Sequence, residues 1–195
     1  MSLDEKALGR LANTAFHLRS GAIDLIESFR PNQIECKKWL VQEIANYKMH
    51  YSNVLVLGSW NSCLLWELMN KYCDVDWFTF LDINPVHHDD RDKYFEINDL
   101  QKNYHSITMS ATDFSDHEGY DLIINTSCEH MPDIPAVYGP TYALQSNNYT
   151  FIKEHVNCCD NEKDLAKKNN INKILFKGSK KMKNYDRFMV IGYHY

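Results

Sequence analysis

A chain of 195 residues is long enough to bury one sizeable core. Its net charge of −5 and pI near 6 exclude a broad phosphate-binding surface, which needs clustered Lys and Arg. No apolar run reaches the length of a membrane span, and the six cysteines lack CxxC spacing and follow no signal-peptide pattern, which reads as reduced thiols in a soluble cytoplasmic protein.

In chain order, residues 2–29 read as one or two helices. Ser2 and Glu5 stand at capping-box spacing, Leu8, Leu11, Ala15 and Leu18 recur at helical intervals, and Pro31 closes the segment. Asn32 with Glu35 opens a further helix, with Ile34, Leu40, Val41, Ile44 and Tyr47 on one face and Lys37, Lys38 and Glu43 on the other. Residues 1–50 therefore form a helical cap or lid, and residues 51–195 form the main domain.

That domain opens with residues 53–61, Asn-Val-Leu-Val-Leu-Gly-Ser-Trp-Asn: an apolar strand at 54–57, buried on both faces, closing on Gly58. Helical spacing over 62–72 returns the chain to a second strand, 77–81, which ends on Asp82. A glycine turn and then an acid, one βαβ unit apart, mark a nucleotide-binding half. The glycine alone leaves S-adenosylmethionine, a dinucleotide or no ligand open.

Residues 85–102 read as a short irregular helix carrying His87-His88-Asp89-Asp90, which is metal-like only in composition because adjacent histidines seldom converge on one ion. A third strand falls at 105–109, ahead of Asp113-Phe114, and a fourth at 120–125. The fourth runs into Thr126-Ser127-Cys128-Glu129-His130 with no glycine to account for the polarity. A fifth strand lies at 141–145; the Glu154-His155 that follows reads as packed or solvated, with the substrate side of the crevice as its alternative place. A Lys-rich helix covers 162–169. The apolar runs 173–177 and 187–193 are too close for a crossover helix, so they pair antiparallel. The lysines between 163 and 183 read as a solvated face.

Gly58, Asp82, Asp113-Phe114, the polar loop from Asn125 to His130 and the closing hairpin together resemble the class I S-adenosylmethionine-dependent methyltransferases, over about residues 50–195. The resemblance implies an α/β fold: a Rossmann-like three-layer sandwich whose mostly parallel seven-stranded sheet ends in an antiparallel C-terminal hairpin. It implies S-adenosylmethionine as cofactor, held by Gly58, Ser59, Trp60 and Asn61, by Asp82 on the ribose hydroxyls, by Ile83 beside the adenine, by Asp113 and Phe114 at the adenine, and by Asn125 and Ser127. The chain departs from the family in its glycine-poor first motif. Trp60 stands where a dinucleotide pyrophosphate needs room, which counts against NAD.

Glu129 and His130 supply a carboxylate and an imidazole suited to taking a proton as a methyl group moves, and are the candidate catalytic pair. Cys128 lacks a basic partner and reads as a structural thiol. Tyr138, Tyr142, Tyr149 and Tyr185 are candidates for the acceptor pocket. The expected partner is a small-molecule or protein methyl acceptor, with no nucleic acid, membrane or metal. Two other readings stay open: transfer of the cofactor's aminocarboxypropyl arm or its cleavage, and a non-catalytic Rossmann-like binding module.

Overall fold

The computed structural model describes residues 5–18, 22–100 and 103–195. Its strands are β1 (His50–Leu57), β2 (Asp74–Asp82), β3 (Tyr104–Thr108), β4 (Leu122–Asn125), β5 (Thr141–Asn147), β6 (Lys173–Lys181) and β7 (Asp186–Tyr193). They form one sheet in the order β3-β2-β1-β4-β5-β7-β6. The pairings from β3 through β5 are all parallel, whereas β7 runs antiparallel to both β5 and β6. This is the mostly parallel sheet with a C-terminal hairpin that the sequence predicts.

Strand alternation divides the core into two layers. Val54, Val56, Phe78, Phe80, Leu122, Ile124, Met189 and Ile191 face one side, and Leu55, Leu57, Leu81, Ile123, Phe188 and Val190 face the other. Because both faces are covered, the strands read as unbroken apolar runs. The first layer is roofed by helices α1 (Glu5–Leu18), α2 (Ile23–Ser28), α3 (Pro31–Tyr47), α4 (Cys63–Tyr72) and α5 (Pro85–Ile97), and the second includes α6 (Glu162–Lys168).

Helices α1 to α3 share this core. Leu40, Val41 and Ile44 of α3 are fully buried in the same cluster as β1, and each such side chain contributes roughly 1.5–3 kcal/mol on burial. Arg10 of α1 donates from Nε to Glu67 of α4 at 2.6 Å, and the Tyr94 hydroxyl of α5 reaches the same carboxylate at 2.7 Å. The preceding helix ends at Ser28, ahead of Pro31 as expected, and Pro31 itself opens the first turn of α3, where its missing N–H has no helical partner to lose. The predicted capping residue Ser2 lies outside the described residues.

Helix α5 is also more regular than expected. Asn84 caps it, accepting from the Val86 N–H at 3.2 Å, with Pro85 in the first turn. Its inner face carries His88 and Arg91 beside Tyr94 and Phe95, so polar residues mask a buried periodicity. The Arg91 guanidinium is fully buried, 4.3 Å from the Phe80 ring centre. At the sheet's edges, β6 is a solvent-side strand carrying Lys173, Lys177, Lys180 and Lys181, and β3 is only five residues long.

The chain leaves β1 toward β2 on one side and enters β4 on the other. That reversal opens a crevice beyond the carboxyl ends of the strands, where ligands of open α/β sheets bind.

Candidate active site

The crevice has a volume of about 990 Å³, at the upper end of the range for small-molecule sites. Its floor is the turn after β1. Gly58 takes a left-handed φ of 56°, and a Cβ there would stand 2.5 Å from Cε of Met131. The left-handed backbone is what favours glycine here; the methionine lying against it is a flexible side-chain end that can move.

Hydrogen bonds stitch this turn to the end of β2. The Ser59 N–H donates to the Leu81 carbonyl at 2.9 Å, and the Trp60 N–H donates to Oδ2 of Asp82 at 2.7 Å. Oδ1 of Asp82 accepts from the Asn84 N–H at 2.9 Å and from Nδ1 of His87 at 3.0 Å. Burial pushes the Asp82 carboxyl upward, but the His87, Asn84 and Trp60 bonds outweigh it and hold the group below its ordinary value. Asp82 is thus a carboxylate with three of its roughly four acceptor positions engaged.

The remaining candidates separate into those at the crevice wall and those away from it. Ile83, 71% exposed, and Ser127 line it. Asn61 borders it but is fully buried, with Nδ2 donating to the Asp24 carbonyl at 3.3 Å and Oδ1 accepting from the Cys63 N–H at 3.2 Å, so its side chain caps α4 and anchors α2. Asn125 lies behind the wall. Its Oδ1 accepts from the Ser127 N–H at 2.9 Å, and its Nδ2 lies 3.1 Å from the Met131 sulfur.

Asp113 and Phe114 do not reach the crevice. A turn closed by the Asp113 N–H on the Ser110 carbonyl reverses the chain, leaving Asp113 exposed and stacking Phe114 on His117, with ring centres 5.8 Å apart. Ser110, Ala111 and Thr112 form the wall there instead.

Glu129 and His130 lie together on a short 3-10 turn, Cys128–His130, in very different surroundings. Glu129 is 3% exposed; its Oε1 accepts from Nδ2 of Asn147 and from Nη1 of Arg187, each at 2.6 Å. Oε2 is buried and finds no hydrogen-bond partner among the described residues. His130 is exposed on one side, yet partial burial of its ring, helped by the His155 and Arg187 charges, outweighs the Glu129 carboxylate and holds its pKa below the ordinary value. The Cys128 thiol is buried and pushed well up by that burial, so it stays protonated.

Two side chains near this pair, Arg187 and Lys37, escape the sequence reading, while His155 takes the crevice-side place that was one of its two readings. Arg187 opens β7 and holds Glu129; Lys37 of α3 lies buried at the wall rather than on a solvated face; His155 comes from the loop after β5. Lys37 had a readable signal, because it stands three, four and seven residues ahead of Leu40, Val41 and Ile44 and so shares their face. Of the four candidate tyrosines, Tyr149 and Tyr185 line the crevice. Tyr142 is buried against His117 and Val137, and Tyr138 lies exposed beside His194. The His87-His88-Asp89-Asp90 run does not converge: His87 holds Asp82, and His88 faces the Ile107 carbonyl at 3.2 Å.

No protein-family model matches the sequence, and no curated protein matches it. Among solved structures, the N-methyltransferase NodS from Bradyrhizobium japonicum WM9, in complex with S-adenosyl-L-homocysteine, superposes with a TM-score of 0.66 at 13% identity, over 98% of this chain and 99% of that one. The chain has the class I methyltransferase fold. TehB from Haemophilus influenzae shares this methyltransferase fold at a TM-score of 0.58 and 13% identity, covering 80% of this chain and 61% of that one. TrmK from M. capricolum, in complex with S-adenosyl-homocysteine, does so at 0.52 and 13%, covering 78% and 67%. At these identities the likeness is one of fold.

Proposed function

We propose that the protein is an S-adenosylmethionine-dependent methyltransferase acting on a small-molecule or protein acceptor in the crevice. The observation that carries this reading is the coincidence, at one switch point, of the left-handed Gly58 turn and the Asp82 carboxylate under a crevice of suitable size. The methyltransferase fold and the cofactor product bound in NodS and TrmK support it. The net charge of −5 argues for an acceptor other than an extended nucleic acid.

The residues present fit the cofactor. Gly58 offers backbone free of a Cβ, and Asp82 keeps about one acceptor position, enough for one ribose hydroxyl rather than the two expected from sequence. Ile83 supplies an exposed apolar flank for the adenine, and Ser127 a hydroxyl across the crevice from it. Met131 covers Gly58 with a flexible thioether that must swing aside for the amino acid end. When bound, the cofactor supplies an already activated methyl group. The protein has to orient the acceptor and receive its proton. His130, neutral near pH 7 and open to the crevice, is the proton acceptor; Glu129, held by Arg187, sets its surroundings.

Calorimetric titration tests the reading. S-adenosylmethionine and S-adenosylhomocysteine bind and NAD does not; Asp82→Ala weakens binding by about 1.5–3 kcal/mol, the worth of one charge-assisted hydrogen bond. Binding of NAD in their place would overturn the cofactor assignment. A second reading, a non-catalytic binding module, is favoured by one observation: the Ser59 and Trp60 N–H groups are already engaged within the protein. Cofactor binding without turnover on any acceptor would select it.

A further inference from the structure

Glu129, His130 and His155 come from two loops, yet one ligand atom from each lies within 4.8 Å of the others at the crevice wall. We infer that these three residues form a binding site for one divalent transition ion of borderline softness, with Zn²⁺ the type case. Two imidazoles and one carboxylate are a recurring donor set for such ions, and hard, oxygen-seeking Mg²⁺ is poorly served by it. A tetrahedral ion with bonds of about 2.0–2.2 Å holds its ligands roughly 3.4 Å apart, so binding would draw the atoms inward by about an ångström.

Each donor is already prepared. The carboxylate of Glu129 is fastened through Oε1 by Arg187 and Asn147, which leaves Oε2 buried and without a partner among the described residues. A buried oxygen in that state carries an unrepaid desolvation cost, which a cation would relieve. His155 Nδ1 lies 2.5 Å from the Tyr149 carbonyl. A carbonyl can only accept, so Nδ1 carries the proton and Nε2 is left with its lone pair, the arrangement in which outer hydrogen bonds orient a metal-bound histidine. His130 meets His155 edge to face with ring centres 4.5 Å apart. Arg187 and Asn147 are then positioning residues that act through Glu129.

An ion here would lie where an acceptor enters, as a Lewis acid able to bind an oxygen or nitrogen and ease loss of its proton; His130 would then be a ligand, and the ion would take over the part in proton removal that the metal-free site gives to the imidazole. Metal binding itself does not depend on the methyl-transfer reading and is measured without S-adenosylmethionine.

The test is titration of chelator-treated full-length protein with Co²⁺, followed by visible absorption, with Zn²⁺ competition and Mg²⁺ as control. One Co²⁺ per chain binds, Zn²⁺ displaces it and Mg²⁺ does not. His155→Ala and His130→Ala each weaken binding at least tenfold, with circular dichroism and melting temperature unchanged. Glu129→Gln removes a charge from a buried ion pair and is read only if it folds. The exposed His50, Asp74 and Asp76 form a second cluster of compatible spacing, so His50→Ala is the control and leaves Co²⁺ binding unchanged. No binding by the wild-type protein, or binding lost in His50→Ala and kept in His155→Ala, overturns the site.

Discussion

Lys37 carries a charge that its surroundings oppose. Burial first, and the Arg187 charge second, lower its pKa from 10.5 to about 8 against the opposing pull of Cys36 and Glu129. The unfolded chain therefore binds more protons than the folded one between about pH 8 and 10.5, and stability tied to this group rises with pH across that window. Below about pH 8 the full penalty is present, of order 3 kcal/mol at 1.36 kcal/mol per unit. Lys37→Met is accordingly more stable than wild type at pH 7 in urea unfolding, with the advantage shrinking as pH approaches 10.5. A constant difference across that range would show that the charge carries no such cost. The lysine's place on the buried face was legible in its spacing from Leu40, Val41 and Ile44; reading residue type ahead of spacing hid it.

The same lesson holds for whole elements. Helix α5 seemed irregular because His88 and Arg91 occupy an inward face that hydrophobicity alone does not mark, whereas α4, with Leu64, Leu65, Leu68 and Met69 buried, was plain. The apolar centres of the strands were legible, but not their ends: β2 begins at Asp74, three residues ahead of its apolar run, where its residues are mostly exposed, and β4 is two residues shorter than predicted. The loops were least legible. Nothing near residue 155 signals that His155 meets His130, because that contact is made by the fold and not by local chain preference. Asp113-Phe114 stands apart from the crevice wall for the complementary reason: a tight turn redirects both side chains. In the hairpin, a Cβ on Gly192 would stand 2.3 Å from the Lys173 carbonyl oxygen, next to the register shift between Ile174 and Phe176. Gly192→Ala must push backbone apart there, and should cost about 1–3 kcal/mol as other overpacking does. Chemical denaturation measures it; an unchanged midpoint would mean that β6 yields freely.

At the scale of the molecule, a mostly parallel sheet closed by an antiparallel hairpin was legible once the two C-terminal strands were seen to lie too close for a crossover helix, whereas the strand order, with β7 between β5 and β6, was not. The switch between β1 and β4 then places the crevice without any knowledge of its ligand. What the topology cannot dictate is which side chains fill the rim. Lys37, Met131 and Arg187 reach it from three separated segments, and their convergence is a property of the finished packing.

The lysines of β6 bear on how the molecule behaves in a crowded solution. An open sheet has two borders whose unpaired backbone groups can recruit a strand from a neighbouring molecule. Here one border is short and the other bristles with positive charge: Lys173, Lys177 and Lys181 are exposed along β6. Two copies approaching border to border would bring these charges together, so self-association is repelled before any hydrogen bond forms. Replacing all three by Thr, a good strand former without charge, should leave the monomer folded and make light scattering rise at protein concentrations where wild type stays clear. Equal scattering would locate the molecule's resistance to aggregation elsewhere.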